Sequence, residues 1–200
     1  IVDDAGEYMG EEYTLALCVW SVLSRRPGTV AANLSTSRMI DDIAKRYGCK
    51  VVRTPVGESH VARAMLANEC VIGGEGNGGV IDPRICYVRD SLGSISLVLQ
   101  LMAQTGKKVS QLVDELPRYI QIKQKFELPR ERIDEAVHTI TRTFDAHKPN
   151  TADGVRIDFA EGWVHVRASN TEPIIRVIAE AESAERAHAL ITQVRGAAKL

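Results

Sequence analysis

The chain has 200 residues, of which 44% are hydrophobic and 26% charged, with a formal net charge of −1. A near-neutral balance excludes a general nucleic-acid binder, which carries a basic face, and three Phe and two Trp are too few for a base-stacking platform. No apolar run approaches the ~20 residues of a membrane span, and Ile1-Val2-Asp3-Asp4 lacks the basic start of a signal peptide, so a cytoplasmic protein with no membrane or nucleic-acid partner is expected.

The chain opens in mid-strand at Ile1-Val2 and turns over Asp3-Asp4-Ala5-Gly6, the pattern of a piece cut from a longer protein. Glu11 to Leu23 reads as an amphipathic helix with Leu15, Cys18, Val19, Val22 and Leu23 on one stripe, stopped by Arg25-Arg26-Pro27-Gly28. Thr29 to Leu34 is a short buried-type strand. Ser35-Thr36-Ser37 offers an N-cap for a helix through Tyr47, which Gly48 ends. Strand Cys49–Thr54, a helix from Ser59 to Ala67 and strand Cys70–Gly73 follow. Asp90 caps a long helix from Ser91 to Gln104 that Gly106 closes, and Val109 to Leu116 is one more short helix. Alternating strands and helices with short crossings predict a three-layer α/β sandwich.

The pattern changes after Pro117. Tyr119 to Phe126 alternates as a half-exposed strand, and Arg130 to Asp145 is helical. Strands at 155–159, 163–166 and 174–179 follow, with a last helix from Ala184 to Arg195 that Ser183 can cap. This order predicts a smaller α+β domain with an antiparallel sheet. The four cysteines, Cys18, Cys49, Cys70 and Cys86, form no CxxC pair and read as buried reduced thiols.

Two polar loops carry chemistry. Arg167-Ala168-Ser169-Asn170-Thr171-Glu172-Pro173 sits between two apolar strands. It offers a planar guanidinium and several uncharged donors on a rigid platform, which is what a dianionic phosphate needs. Arg176, in the following strand, either adds a second positive charge or is a solvated strand residue. Gly74-Glu75-Gly76-Asn77-Gly78-Gly79 satisfies G-x-G-x-x-G, but Val80-Ile81-Asp82-Pro83 follows where a dinucleotide fingerprint must open a helix. A ligand loop fits better, with Glu75 accepting from hydroxyls and Asn77 donating and accepting. Thr54-Pro55-Val56-Gly57-Glu58-Ser59-His60 and Ser35-Thr36-Ser37-Arg38 lie at the carboxyl ends of strands, the edge that binds ligands in such sheets. Glu58 and His60 either face a cleft or cap the helix. Arg89-Asp90 reads as a structural pair. The carboxylates and the scattered histidines show no metal-ligand spacing.

These residues together resemble the α-D-phosphohexomutases: phosphoglucomutases, phosphomannomutases and phosphoglucosamine mutases. The resemblance covers essentially the whole chain and implies the C-terminal half of a four-domain protein. Residues 1–27 would be the tail of the second domain, 28–117 the third and 118–200 the fourth. Residues 167–173 are similar to the family's phosphate-binding loop, implying phosphate contacts from Arg167, Ser169, Asn170, Thr171 and Arg176. Residues 74–79 are similar to its sugar-binding loop, usually Gly-Glu-x-Ser-Gly-His, implying sugar contacts from Glu75, Asn77, Gly79 and, from a neighbouring loop, Glu58. Asn77 for Ser and Gly79 for His resembles an archaeal-type branch. The family's Thr-Ala-Ser-His-Asn-Pro-like phosphoserine loop and Asp-Gly-Asp-x-Asp-Arg-like Mg²⁺ loop do not occur here. The resemblance therefore implies recognition without phosphoryl chemistry: no catalytic residue and no metal ligand in this chain. The Mg²⁺, the missing N-terminal domains and a hexose bisphosphate activator would belong to the intact enzyme. A hexose phosphate would pass between its 1- and 6-phosphate forms through a phosphoserine and a bisphosphate. A sugar-phosphate-binding protein without chemistry is the alternative.

Overall fold

The computed structural model describes residues 1–169 and 173–198. Two units separate by their internal contacts, Ile1–Pro117 and Arg118–Leu200. The first contains α1 (Glu11–Leu23), β1 (Val30–Asn33), α2 (Met39–Arg46), β2 (Val51–Thr54), α3 (Glu58–Ala67), β3 (Ile72–Glu75), β4 (Gly79–Ile81), α4 (Ser91–Thr105) and α5 (Val109–Asp114). Its sheet runs β2-β1-β3-β4, with β1 parallel to β2 and β3, and β4 antiparallel to β3.

The three layers follow from the period of two along β3. A Cβ added to Gly73 would meet the Met65 sulfur of α3, while one on Gly74 would meet Leu15 of α1. Helices α1 and α3 therefore cover opposite faces of the sheet. The single apolar stripe expected for α1 is too narrow, because Leu15 through Leu23 are all buried. A helix apolar all round is a core helix, and α1 packs on α2, α4 and β3 within this unit. Asp90 caps α4, its two carboxylate oxygens accepting from the Leu92 and Gly93 N–H groups, a motif that stabilises a helix by about 1 kcal/mol. Gly106 ends it at φ 67°. At the chain start only a single bridge joins Val2 to Tyr8, so the strand expected there is absent. The Asp3–Gly6 turn is present, with Asp3 Oδ1 accepting from Ala5 and Glu7.

The second unit contains β5 (Ile120–Glu127), α6 (Arg130–Thr143), a 3₁₀ turn at Asp145–His147, β6 (Val155–Asp158), β7 (Gly162–Ala168), β8 (Ile174–Ala181) and α7 (Ala184–Ala198). Its sheet is antiparallel in the order β5-β8-β7-β6. Val155, Ile157, Val164, Val166, Ile175, Val177 and Ala179 share one face and form a core with Ile133, Ile140, Leu190, Ile191 and Val194 of α6 and α7. Each fully buried aliphatic of this kind stabilises by roughly 1.5–3 kcal/mol. The alternate positions put Trp163, His165 and Arg167 on the other face, beside Arg176 and Glu180 of β8. Trp163 Nε1 donates to Glu180 Oε1 at 2.8 Å, and the Arg156 guanidinium lies 4.3 Å from the Trp163 ring centre.

Two cysteines depart from the sequence reading: Cys18 and Cys70 are buried, but Cys49 and Cys86 are only half-buried, and all are reduced. Among the described residues no helix is long and apolar enough to cross a membrane.

Candidate functional site

The glycine-rich segment is a β-hairpin rather than an open loop. Strand β3 runs through Glu75, Gly78 turns at φ 86°, and β4 returns from Gly79. Gly74 is obligatory here, because a Cβ would lie 2.3 Å from the Gly79 carbonyl oxygen. At Gly76 a Cβ would meet the Glu12 carboxylate, the end of a flexible side chain that could shift, so this position is less constrained than Gly74.

Glu75 is 5% exposed and holds neighbouring loops together. Its Oε1 accepts from Asn33 Nδ2 at 2.8 Å and from the Gly57 N–H at 2.9 Å. Asn33 Oδ1 in turn accepts from the Ser35 N–H and the Thr36 hydroxyl, and Thr36 Oγ1 accepts from the Gly76 N–H at 2.9 Å. Arg53 clamps the same turn from β2, donating to the carbonyls of Asn33, Thr36 and Ser37 and to Asp41. The carboxyl ends of β1, β2 and β3 are thereby tied into one rigid frame.

Beside the hairpin, Glu58, Asn77, Gly78, Gly79, Arg89 and Ser91 line an open cavity of about 420 Å³, together with Val80, Asp90 and Ser94. Three of the four candidate sugar residues thus meet in one place, and the fourth, Glu75, braces the hairpin that carries two of them. Glu58 Oε1 accepts from the Arg89 N–H at 2.7 Å, and its Oε2 from Arg89 Nε at 2.8 Å. The bond from the Arg89 N–H does most to hold the Glu58 carboxyl below the usual range; burial, the next largest effect, opposes it, and the guanidinium adds to the lowering. Arg89 therefore pairs with Glu58, not with Asp90, whose carboxylate serves α4. Asn77 Oδ1 accepts from the Gly79 N–H at 3.1 Å. His60 lies exposed in the first turn of α3 and is not part of the cavity lining.

The second unit supplies the other loop. Arg167 is nearly buried, with Nε donating to Asp153 Oδ2 at 3.0 Å. Asp153 also binds His165, whose Nε2 lies 2.7 Å from the Asp153 carbonyl oxygen. Burial pushes the His165 imidazole down to about 4. Ser169 is buried and its N–H donates to the Ile174 carbonyl at 2.9 Å, closing the base of the loop. Arg176 sits directly across from Arg167 in the ladder and is exposed, with Lys125 on its other side. Asn170 and Thr171 lie outside the described residues.

Sequence reasoning missed Asn33, Arg53, Asp153 and Arg89 as parts of these arrangements. Arg53, an arginine inside a short strand of a core sheet, was the one legible signal, since such a charge must find partners. The others act through long-range contacts that spacing does not encode.

Sequence models of two domains match this chain: phosphoglucomutase/phosphomannomutase α/β/α domain III over residues 10–119 and the C-terminal domain over residues 123–197. A phosphoglucomutase/phosphomannomutase of Thermococcus kodakarensis is 44% identical over 189 residues, covering 93% of this chain and 41% of that protein. A probable phosphoglucosamine mutase of Methanopyrus kandleri is 39% identical, covering 94% of this chain and 42% of that protein. Among solved structures, a phosphoglucomutase/phosphomannomutase family protein of Burkholderia thailandensis shares the fold with a TM-score of 0.79 at 23% identity, over 99% of this chain and 44% of that one. The chain spans about two-fifths of the length of the curated relatives it matches. By both domain matches, the chain belongs to the phosphoglucomutase/phosphomannomutase family.

Proposed function

We propose that this chain recognises the hexose phosphate for a cytoplasmic mutase that interconverts the 1- and 6-phosphates. The observation that carries the proposal is the cavity shared by Glu58, Asn77 and Gly79, braced by Glu75, in a member of a family of hexose-phosphate mutases. The cavity serves the ring hydroxyls. Arg167, Ser169, Asn170, Thr171 and Arg176 serve the phosphate, with Arg167 oriented through its Nε by Asp153.

A mutase of this kind moves a phosphoryl group from a phosphoserine to the sugar monophosphate and recovers the other phosphate from the resulting bisphosphate. The site must accept either phosphate while the ring reverses. A set of guanidinium, hydroxyl and amide groups suits this, because a phosphate presents nearly the same face from either end. Catalysis of phosphoryl transfer rests largely on such positioning and charge stabilisation. Among the described residues no three His, Cys, Asp or Glu side chains converge. The phosphoserine and the magnesium ion are proposed to reside on segments outside these 200 residues.

The test is a mutase assay on a longer protein that carries this chain, with Mg²⁺ and an activating hexose bisphosphate, comparing Arg167→Ala with the unaltered sequence. Loss of the charged contact is expected to raise the barrier by roughly 2–4 kcal/mol. A change within about twofold, under 0.5 kcal/mol on the tenfold-per-1.4 scale, would remove Arg167 from the site. Sugar-phosphate binding with no turnover would favour a binding protein without chemistry.

A further inference from the structure

Resting on that reading only where it places the phosphoserine and magnesium segments outside these 200 residues, we infer that the outer face of α4 is a docking surface. Its occupant is the polypeptide that precedes Ile1 in a longer protein. Helix α4 runs from Ser91 to Thr105 without one charged residue. Its inner side is buried through Gly93, Ser94, Leu97, Val98 and Leu101. Its outer side exposes Leu92 at 73%, Ile95 at 55% and Leu99 at 57%. Positions three and four apart are neighbours on a helix, so these three form one continuous apolar stripe. A solvated helix face normally carries charges there; single exposed aliphatics are common, but a contiguous stripe marks a covered surface.

Three observations identify the occupant. The chain spans 41% and 42% of the two curated relatives described above, and the domain matched over residues 123–197 is their C-terminal one, so the further chain of those proteins lies upstream. Chain arriving at Ile1 arrives on this face, because Ile1 lines an apolar cavity of about 390 Å³ with Ile95, Val98, Leu99, Met102 and Val109. Residues 1–9 precede the domain III match, yet they are fastened beside α4. Asp4 Oδ1 accepts from the Ser110 hydroxyl at 2.7 Å, and Lys108 Nζ lies 3.3 Å from Asp4 Oδ2.

A segment entering in this way meets α4 at the high effective concentration of an intramolecular contact, which favours it over a second copy of the chain. A membrane surface fits poorly, because interfacial helices carry Lys or Arg on their polar face and α4 carries none.

The test compares the 200-residue chain with a longer protein that carries it, using a water-soluble paramagnetic agent that broadens exposed methyl resonances. Leu97 and Leu101, 3% and 1% exposed, serve as protected references. In the 200-residue chain the Ile95 and Leu99 methyls should broaden strongly. In the longer protein they should be as protected as Leu97, at every protein concentration. Exposed Ile95 and Leu99 methyls in the longer protein would overturn the inference, as would protection already present in the 200-residue chain. Protection lost on dilution would make a second copy the occupant and overturn it equally. Leu99→Glu supplies a second reading: the urea midpoint of the unit comprising residues 1–117 should be unchanged in the 200-residue chain and lowered in the longer protein, and an equal effect in both would contradict the docking. Neither reading involves a sugar, so failure of phosphate or hexose binding would leave this result to stand or fall by itself.

Discussion

Glu75→Ala is the sharpest perturbation of the frame at the carboxyl ends of β1, β2 and β3. It removes the acceptor for two donors, Asn33 Nδ2 at 2.8 Å and the Gly57 N–H at 2.9 Å. Asn33 is 4% exposed, so water cannot replace the lost partner, and an orphaned buried donor costs about 1–3 kcal/mol. Gly57 is half-buried, so its N–H regains some hydration and adds about 1 kcal/mol. The expected loss is roughly 2–4 kcal/mol for the unit comprising residues 1–117. Glu75→Gln retains an amide oxygen in the same place and should cost less than half as much. Asn33→Ala should lose a similar 2–4 kcal/mol, because Ser35 N–H and Thr36 Oγ1 also lose their acceptor. The double variant should fall short of additivity by about 1–2 kcal/mol, since both changes break the one Asn33–Glu75 bond. Native-state hydrogen exchange reads this directly, with the Ala31 and Ala32 amides reporting the unit and the Gly57 amide reporting the bond. A loss under about 0.5 kcal/mol, the range of a neutral surface change, would refute the bracing role. So would Glu75→Gln costing as much as Glu75→Ala.

His165 is fully buried and its imidazole is pushed down from 6.5 to about 4, so the folded state stays neutral where the unfolded chain takes up a proton. The stability this neutral group supports is present above pH 6.5 and is lost as pH falls toward 4. Between pH 7 and pH 5 the unaltered chain should lose about 2 kcal/mol more than His165→Gln in urea titrations of the second unit, and equal losses would contradict the burial argument. Gly74→Ala places a Cβ 2.3 Å from a backbone oxygen and should destabilise the β3–β4 hairpin by about 3 kcal/mol or more, whereas Gly196→Ala, with open space in α7, should stabilise by about 0.5–1 kcal/mol; thermal denaturation distinguishes the signs. Burial pushes the Cys18 and Cys70 thiols up to about 12 and about 11, so a thiol reagent on the folded chain should modify half-buried Cys49 and Cys86 first; early labelling of Cys18 would contradict the packing of α1.

The periodic parts of the fold were legible because periodicity is a local property. Val155, Ile157, Val164, Val166, Ile175 and Val177 alternate in sequence and alternate in the sheet. Asp90 and Gly106 end α4 where their own conformational preferences place them. The all-round burial of α1 was not legible as such: Trp20 and Leu17 fall off the stripe, and only α2, α4 and the sheet together cover them. Strand β4 was hidden by its shortness, since Gly79-Val80-Ile81 has no alternation to read and pairs only because Gly74 lets the chains approach. The structure brings Glu58, Asn77 and Gly79 to one cavity, a grouping that came from the family resemblance and not from residue types or spacing. The bond between Glu58 and Arg89 spans 31 positions, and that between Asn33 and Glu75 spans 42. No local pattern carries such pairings, so the division of labour between bracing and lining residues emerges only from the coordinates.

The central claim, that this chain recognises a hexose phosphate through two separate loops, is tested most directly by amide chemical shifts. The chain would be titrated with inorganic phosphate and, separately, with glucose 1-phosphate. Inorganic phosphate should move Ser169 and its neighbours while leaving Gly78 and Gly79 in place. Glucose 1-phosphate should move both sets along saturating curves. Shifts confined to Ser169 with either ligand would contradict the sugar-binding role of the hairpin, and no saturable shift with either would contradict the claim as a whole.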